Sequence, residues 1–133
     1  MRETMNHTGF VVKDLERSRK FYIDGLGLEE LKLFDVQSEE LGQIVGYKNA
    51  RIYASYLVAT DGHALEIIEY KDPVTKVSDE SVQYERARTG GTHLAFFVED
   101  CHEMWERLCA MGGTPLNPPV EVLPGMWECY MQD

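Results

Sequence analysis

Near its start the chain carries HTGFVVKDLERSRKFYIDGLG at residues 7–27, and a similar stretch, HLAFFVEDCHEMWERLCAMGG, occupies residues 93–113. One constant offset relates the two stretches. It pairs His7 with His93, Phe10 with Phe96, Val12 with Val98, Asp14 with Asp100, and Gly27 with Gly113. Several matches in one register indicate an internal repeat. The sequence therefore predicts two related modules within one domain.

The first copy has the pattern of a strand followed by a helix. Residues 7–12 alternate in period two, with His7 on the face opposite Phe10. Asp14 can accept free backbone N–H groups at the start of a helix that runs from Leu15 to about Asp24. Glycines follow at once and end the helix.

The second copy has the same pattern. We expect an apolar strand that begins at His93, followed by a helix whose first residues, Asp100 and Glu103, have the spacing of a capping box. The paired glycines Gly112 and Gly113 end that helix.

Further strand signals follow the first helix, at about residues 28–36, 51–60 and 63–70. Asp61-Gly62 predicts a two-residue hairpin turn between the last two strands. Residues 1–70 are thus predicted to form a β-α-β-β-β module, residues 71–91 a polar linker, and residues 92–133 a second module. Its weaker strands are TPLNPPVEV and MWECYMQD, and its last strand is expected to be missing from this chain.

Composition limits the function. The chain has 133 residues, 44% of them hydrophobic, and a net charge of −10. This charge disfavours nucleic acid and membrane surfaces as partners. Three widely spaced cysteines favour free thiols in a reducing compartment. There is no signal peptide pattern and no apolar run of membrane-spanning length. We therefore expect a cytoplasmic protein whose partners are neither nucleic acid nor membranes.

His7, Glu66 and His93 are the candidate site residues. The two histidines are equivalent in the repeat, and each lies on the strand face away from its helix. Glu66 lies in mid-strand between apolar neighbours, where an unpaired buried carboxylate costs several kcal/mol. Two histidines and a carboxylate on one sheet suit a divalent metal ion.

Other interpretations of these residues remain open. A histidine at a strand start is commonly structural, and Glu66 can face water on a half-exposed sheet. Glu69 is the alternative carboxylate, although its face should meet the helix. His63 and His102 are expected to be exposed, without a role.

The quoted stretches, together with DGHALEIIEY at residues 61–70, resemble the vicinal oxygen chelate superfamily. That superfamily includes glyoxalase I, methylmalonyl-CoA epimerase, extradiol dioxygenases, and bleomycin- and fosfomycin-resistance proteins. The resemblance implies an α+β fold in which two β-α-β-β-β modules form a curved mixed sheet, or half-barrel. It also implies a homodimer.

The resemblance further implies that His7, Glu66 and His93 are metal ligands, because ligands in the metal-binding members come from the first and fourth strands of each module. A fourth ligand, usually a glutamate, would lie beyond YMQD, where this chain ends. The metal would be zinc, nickel, cobalt, manganese or iron.

The implied reaction is lyase or isomerase chemistry, in which Glu66 moves a proton beside a metal-chelated carbonyl. Two alternatives stay open: an Fe(II) extradiol-type dioxygenase, and a non-catalytic protein that binds a drug or metabolite. Recognition of glutathione or CoA would need basic residues, for which Arg19, Arg51, Arg86 and Arg88 are candidates.

Overall fold

The computed structural model describes residues 3–76, 87 and 93–133. The chain divides into two compact units, Met1–Lys76 and Val77–Asp133. Helices and mainly antiparallel strands occur in both units, which confirms the predicted α+β class. Most of the predicted linker at 71–91 lies outside the described residues.

The first unit is a four-stranded sheet with helices. Its elements are β1 (Thr8–Val11), α1 (Leu15–Lys20), β2 (Glu29–Gln37), α2 (Glu39–Val45), β3 (Arg51–Val58) and β4 (Ala64–Asp72). The strand order is β1-β4-β3-β2, with β1 parallel to β4 and the other neighbours antiparallel. This is the predicted β-α-β-β-β module with one helix, α2, added.

The core of the first unit lies between α1 and one face of the sheet. Leu15, Leu57, Leu65 and Ile67 are fully buried there. Burying each such side chain stabilises the fold by roughly 1.5–3 kcal/mol. Because side chains alternate along a strand, burial of Leu65 and Ile67 turns Glu66 to the opposite, open face of the sheet.

Helix α1 begins as predicted and ends differently. Asp14 accepts a hydrogen bond from the Arg17 backbone N–H at 3.0 Å. The helix continues as a π-helical turn over Phe21–Gly25, in which the Leu26 N–H donates to the Phe21 carbonyl at 3.2 Å. This wider turn buries both Phe21 and Gly25 against the rest of the unit.

The hairpin between β3 and β4 is longer than the predicted two-residue turn. The Ala59 N–H donates to the His63 carbonyl at 2.9 Å, which leaves residues 60–62 as the loop. Gly62 has φ of 87°, a left-handed conformation that glycine adopts without steric cost. The Asp-Gly signal therefore marked the turn correctly, but the loop has one residue more than expected.

Helix α2 was not predicted from the sequence, although residues at both of its ends are typical of helix boundaries. Ser38 accepts a hydrogen bond from the Leu41 N–H at 3.0 Å, and two glutamates fill the first turn. Gly46 ends the helix with φ of 78°.

A polar network ties α1 to the sheet on the helix side. Arg19 donates to both carboxylate oxygens of Glu30, each at 2.7 Å, and the fully buried Ser55 donates to the same carboxylate at 2.5 Å. The Arg19 guanidinium lowers the pKa of Glu30, although partial burial opposes that change. A second arginine–carboxylate pair, Arg51 with Asp35, is about half exposed.

The described residues of the second unit form one helix and two short two-stranded sheets. Helix α3 (Cys101–Ala110) precedes β5 (Thr114–Pro115), β6 (Val120–Leu123), β7 (Met126–Glu128) and β8 (Met131–Gln132). Strand β5 pairs with β8 and β6 pairs with β7, both antiparallel. Asp100 accepts hydrogen bonds from the His102 and Glu103 N–H groups, and these bonds lower its pKa. The predicted cap of α3 is therefore present.

The strand predicted to begin at His93 is not formed. Residues 93–98 make no strand pairing with other described residues, and Phe97 is fully exposed. Leu94 and Val98 are half-buried while the residues between them are exposed, so the period-two alternation partly survives. A strand also needs a hydrogen-bonded neighbour, and no described strand of this unit supplies one.

The three cysteines are free thiols, as predicted. In the second unit, the sulfur atoms of Cys101 and Cys129 lie 3.9 Å apart. Burial is the main cause that raises the pKa of Cys129 to about 11, and the Cys101 thiol adds to it. Among the described helices of the whole chain, none is long and apolar enough to cross a membrane.

Glu30→Gln is expected to lower the free energy of unfolding at pH 7 by roughly 1–3 kcal/mol, because it removes the charge that Arg19 binds. The pKa of Glu30 is lower in the folded protein than in the unfolded chain. The Glu30 carboxylate therefore contributes fully to the free energy of unfolding above the unfolded pKa of about 4.3, and this contribution is lost as the pH falls through the folded pKa. Urea unfolding between pH 3 and pH 7 measures this. The matched variant Asp35→Asn, in the exposed pair, should change little; equal losses in both variants would contradict this role for Glu30.

Cys129 is expected to alkylate slowly, because little of a thiol whose pKa is about 11 is ionised at pH 8. With iodoacetamide at pH 8 it should react roughly 100-fold more slowly in the folded protein than in guanidinium-unfolded chain. Peptide mapping by mass spectrometry reports each cysteine separately. Equal rates in the folded and unfolded chain would show that burial does not protect this thiol.

Candidate functional site

His7 and Glu66 meet on the open face of the first unit. Parallel pairing of β1 with β4 sets Thr8 opposite Leu65 and Gly9 opposite Glu66. His7 lies one residue before β1, on the same face as Gly9. The distance between His7 Nε2 and Glu66 Oε2 is 3.2 Å, and the two side chains are 36% and 20% exposed. The register of two adjacent strands thus brings two predicted site residues together.

The pair has the chemistry of a divalent-metal site. It offers one imidazole nitrogen and one carboxylate oxygen, which are ligands that zinc and its neighbours in the periodic table accept. Two such donors bonded at about 2.0–2.1 Å to one ion, with bond angles near 90–110°, are themselves about 3.0–3.4 Å apart. The observed 3.2 Å lies in that range, and it is also the distance of a direct ion pair between a protonated His7 and Glu66. The residues present therefore fit a metal ion.

Asn6 and Tyr56 surround His7 on the side away from Glu66. His7 Nδ1 lies 2.7 Å from Asn6 Oδ1, and the Tyr56 hydroxyl donates to the same oxygen at 3.0 Å. The Tyr56 ring meets the His7 ring edge to face, with centroids 5.5 Å apart. Tyr56 is also the β3 partner of Glu66. Asn6 did not stand out in the sequence, because only the folded structure shows that both Asn6 and Tyr56 are neighbours of His7.

A cavity of about 270 Å³ opens beside His7. It is lined by Met5, Asn6, His7, Asp61, Gly62, His63 and Ala64. His63 is exposed, as expected, and its Nε2 lies 3.1 Å from the Thr8 hydroxyl. The β3–β4 turn therefore forms one wall of the space that His7 faces.

Glu69, the alternative carboxylate, lies on the face of the sheet that α1 covers, and its carboxylate already has partners there. It accepts a hydrogen bond from the Leu15 N–H at 2.9 Å, at the start of α1, and it pairs with Lys71. It supports the helix terminus, where negative charge is favourable.

His93 lies in the second unit and is exposed. Its ring meets the Tyr130 ring edge to face, with centroids 5.6 Å apart and planes at 71°. Among the described residues of the first unit, no third His, Cys, Asp or Glu joins His7 and Glu66 in a metal-binding cluster, and the described part of the second unit has no such cluster of three. His93 therefore stays a predicted ligand.

The arginines predicted for anion recognition are engaged or outside the described residues. Arg19 pairs with Glu30 and Glu16, and Arg51 pairs with Asp35. Arg86 and Arg88 lie outside the described ranges. On the open face, Lys32 is the β2 partner of Tyr56 and lies in the same row as Glu66. It is a cation that sequence reasoning missed.

The first unit's topology, with a parallel β1–β4 pair and α1 covering one face, defines a βαβββ-type α+β protein. Residues 4–133 match the family model for the Glyoxalase/Bleomycin resistance protein/Dioxygenase superfamily, and the chain belongs to that superfamily. The predicted family is thereby confirmed. A comparison with curated proteins finds no match.

Solved structures share the fold. A glyoxalase-family protein from Bacillus cereus aligns with a TM-score of 0.78 and 24% identity, over 96% of this chain and 84% of its own. The fosfomycin resistance protein FosX from Mesorhizobium loti aligns with a TM-score of 0.58 and 21% identity, over 100% of this chain and 85% of its own. At these identities the likeness establishes the fold alone.

Gly9 is expected to tolerate alanine but not leucine. A Cβ at Gly9 would lie 3.9 Å from His7 Cδ2 and 4.0 Å from Glu66 Oε2, which are ordinary contacts. Gly9→Ala should therefore leave Co²⁺ affinity and thermal stability unchanged. Gly9→Leu should weaken Co²⁺ binding by roughly 10-fold or more, because its side chain enters the space between the two donors. Wild-type affinity in a folded Gly9→Leu protein would show that this space is not the metal site.

Proposed function

We propose that this protein is a divalent-metal-dependent enzyme that catalyses a lyase or isomerase reaction by proton transfer beside the carbonyl of a small molecule with adjacent oxygens. The observation that supports this most is the 3.2 Å approach of His7 Nε2 to Glu66 Oε2. Membership of the superfamily, which includes glyoxalases, agrees with it.

His7 and Glu66 would hold the ion, with His93 as the third ligand that the sequence repeat predicts. The bound ion supplies Lewis acidity, which makes a C–H beside a chelated carbonyl more acidic. Imidazole and carboxylate ligands leave zinc, nickel, cobalt, manganese and iron as candidates.

Glu66 is the proposed base. Its carboxylate is partly exposed on the open face, so a small molecule can reach it, while buried Leu65 and Ile67 fix the backbone on either side. A carboxylate held in this way can take a proton from one carbon and return it to a neighbouring position, provided it lies within hydrogen-bond reach of both.

The proposal includes a cytoplasmic homodimer. Free cysteines support a reducing compartment, and the superfamily resemblance supports dimerisation. Light scattering coupled to gel filtration measures the mass in solution.

Metal content tests the proposed site. Protein purified without added metal should carry about one divalent ion per site. His7→Ala and Glu66→Gln each remove a proposed metal ligand. Loss of a residue that only hydrogen-bonds to a ligand costs roughly 10- to 100-fold in metal affinity, so each of these variants should bind Co²⁺ more weakly than that. His93→Ala tests the third ligand in the same titration. His102→Ala, an exposed histidine beside Trp127, is the matched control and should bind as wild type. Unchanged binding in both His7→Ala and Glu66→Gln would refute the site.

Solvent exchange tests the reaction. In D₂O, the metal-loaded protein should introduce deuterium beside the carbonyl of a 2-hydroxycarbonyl or acyl-CoA substrate, and Glu66→Gln should not. Oxygen uptake with a catechol and no exchange would instead assign the Fe(II) dioxygenase alternative. Tight binding of a small molecule with neither activity would assign a sequestering role.

A further inference from the structure

We propose that Asn6 and Tyr56 are positioning residues for His7, which hold its Nδ1 so that Nε2 faces Glu66 and the cavity. What His7 binds there rests on the proposed function, but the positioning itself does not. The two residues come from different elements: Asn6 precedes β1, and Tyr56 lies in the middle of β3.

Asn6 is placed to select the tautomer of His7. A neutral histidine carries its proton on one ring nitrogen, and the hydrogen bond that this nitrogen makes decides which one it is. Asn6 Oδ1 lies 2.7 Å from Nδ1, where it can accept the Nδ1 proton and so leave Nε2 free to bind a metal ion beside Glu66. A histidine that ligates a metal through Nε2 needs this tautomer and this kind of partner.

Tyr56 holds Asn6 in turn. Its hydroxyl lies within hydrogen-bond distance of Asn6 Oδ1, at 3.0 Å, and of the Asn6 carbonyl, at 3.4 Å. An amide oxygen has two lone pairs, so Oδ1 can accept from Tyr56 and from His7 together. The Tyr56 ring also packs edge to face on the His7 ring, with planes at 72°. Since Tyr56 is the register partner of Glu66, one residue links the positions of both members of the pair.

The second unit repeats part of this arrangement. His93 and Tyr130 meet with centroids 5.6 Å apart at 71°, against 5.5 Å and 72° for His7 and Tyr56. The residue before His93 lies outside the described ranges. A tyrosine thus meets each of the two repeat histidines within its own unit, although Tyr56 and Tyr130 do not occupy equivalent positions of the repeat.

The test compares Asn6→Leu, Asn6→Asp and Tyr56→Phe with wild type. Asn6→Leu removes the acceptor and should weaken Co²⁺ binding roughly 10- to 100-fold, whereas Asn6→Asp keeps an acceptor and should restore binding to near the wild-type value. Tyr56→Phe keeps the ring and loses the hydroxyl, so its Co²⁺ affinity should lie between that of wild type and that of Asn6→Leu. Tyr53→Phe is the matched control, because the Tyr53 hydroxyl bonds Glu16 on the other face of the same strand.

A second readout needs no metal. Two-bond ¹⁵N–¹H correlation spectra of the metal-free protein at pH 8 report the tautomer of His7. The fraction of His7 that is protonated on Nδ1 should be larger in wild type and Asn6→Asp than in Asn6→Leu, in which Glu66 is the acceptor that remains, on the Nε2 side. Thermal melting confirms that each variant is folded, and Asn6→Asp and Tyr56→Phe test the inference even if Asn6→Leu does not fold.

The outcomes separate the two proposals. If wild type binds no Co²⁺ while the tautomer still depends on Asn6, the proposed function fails and the positioning role stands. If metal binds through His7 but Asn6→Leu matches wild type in affinity and tautomer, the positioning role is overturned. The same holds if Asn6→Asp loses binding as Asn6→Leu does, because the amide N–H rather than the oxygen would then be the group that acts on His7.

Discussion

The parallel pairing of β1 with β4 determines where the polar groups of the first unit lie. It sets Gly9 opposite Glu66, so that His7, two residues before Gly9 and on the same face, lies beside the carboxylate. A register shift of one residue would turn Glu66 into the apolar layer and Leu65 outward. The buried positions of Leu65 and Ile67 prevent that shift, so the same apolar contacts that stabilise the sheet also hold the two donors together.

The sequence predicted the first unit well, because its signals are local. Strand alternation, the Asp14 cap and the Asp-Gly turn each depend on neighbours in the chain, and the structure has the corresponding elements. The differences are local as well: a wider last turn after α1, a three-residue hairpin loop, and the additional helix α2. The strand predicted at His93 failed for a different reason, since its pattern requires a partner strand that residue types alone do not guarantee.

In the candidate site, too, the residues with local sequence signals were predicted, and those whose role depends on the folded sheet were not. His7 and Glu66 were found from the repeat and from a carboxylate in an apolar strand, and strand register then brings them to 3.2 Å. Asn6 and Lys32 were not found, and the contact of Tyr56 with His7 was not expected, because these relations depend on which strands are neighbours. Arg19 was assigned to substrate recognition and instead bonds Glu30, a residue of β2 that only the folded sheet brings near.

His7 immediately precedes the first strand of its unit, and Glu66 lies in the last strand, so the site exists only in the folded unit. His7 and Glu66 are far apart in sequence, and the pairing of β1 with β4 in the folded sheet brings them together. A metal ion that binds this pair therefore recognises the finished unit rather than a partly folded chain, and its binding free energy adds to the stability of that unit. Occupancy by metal would thus report that folding of the first unit is complete.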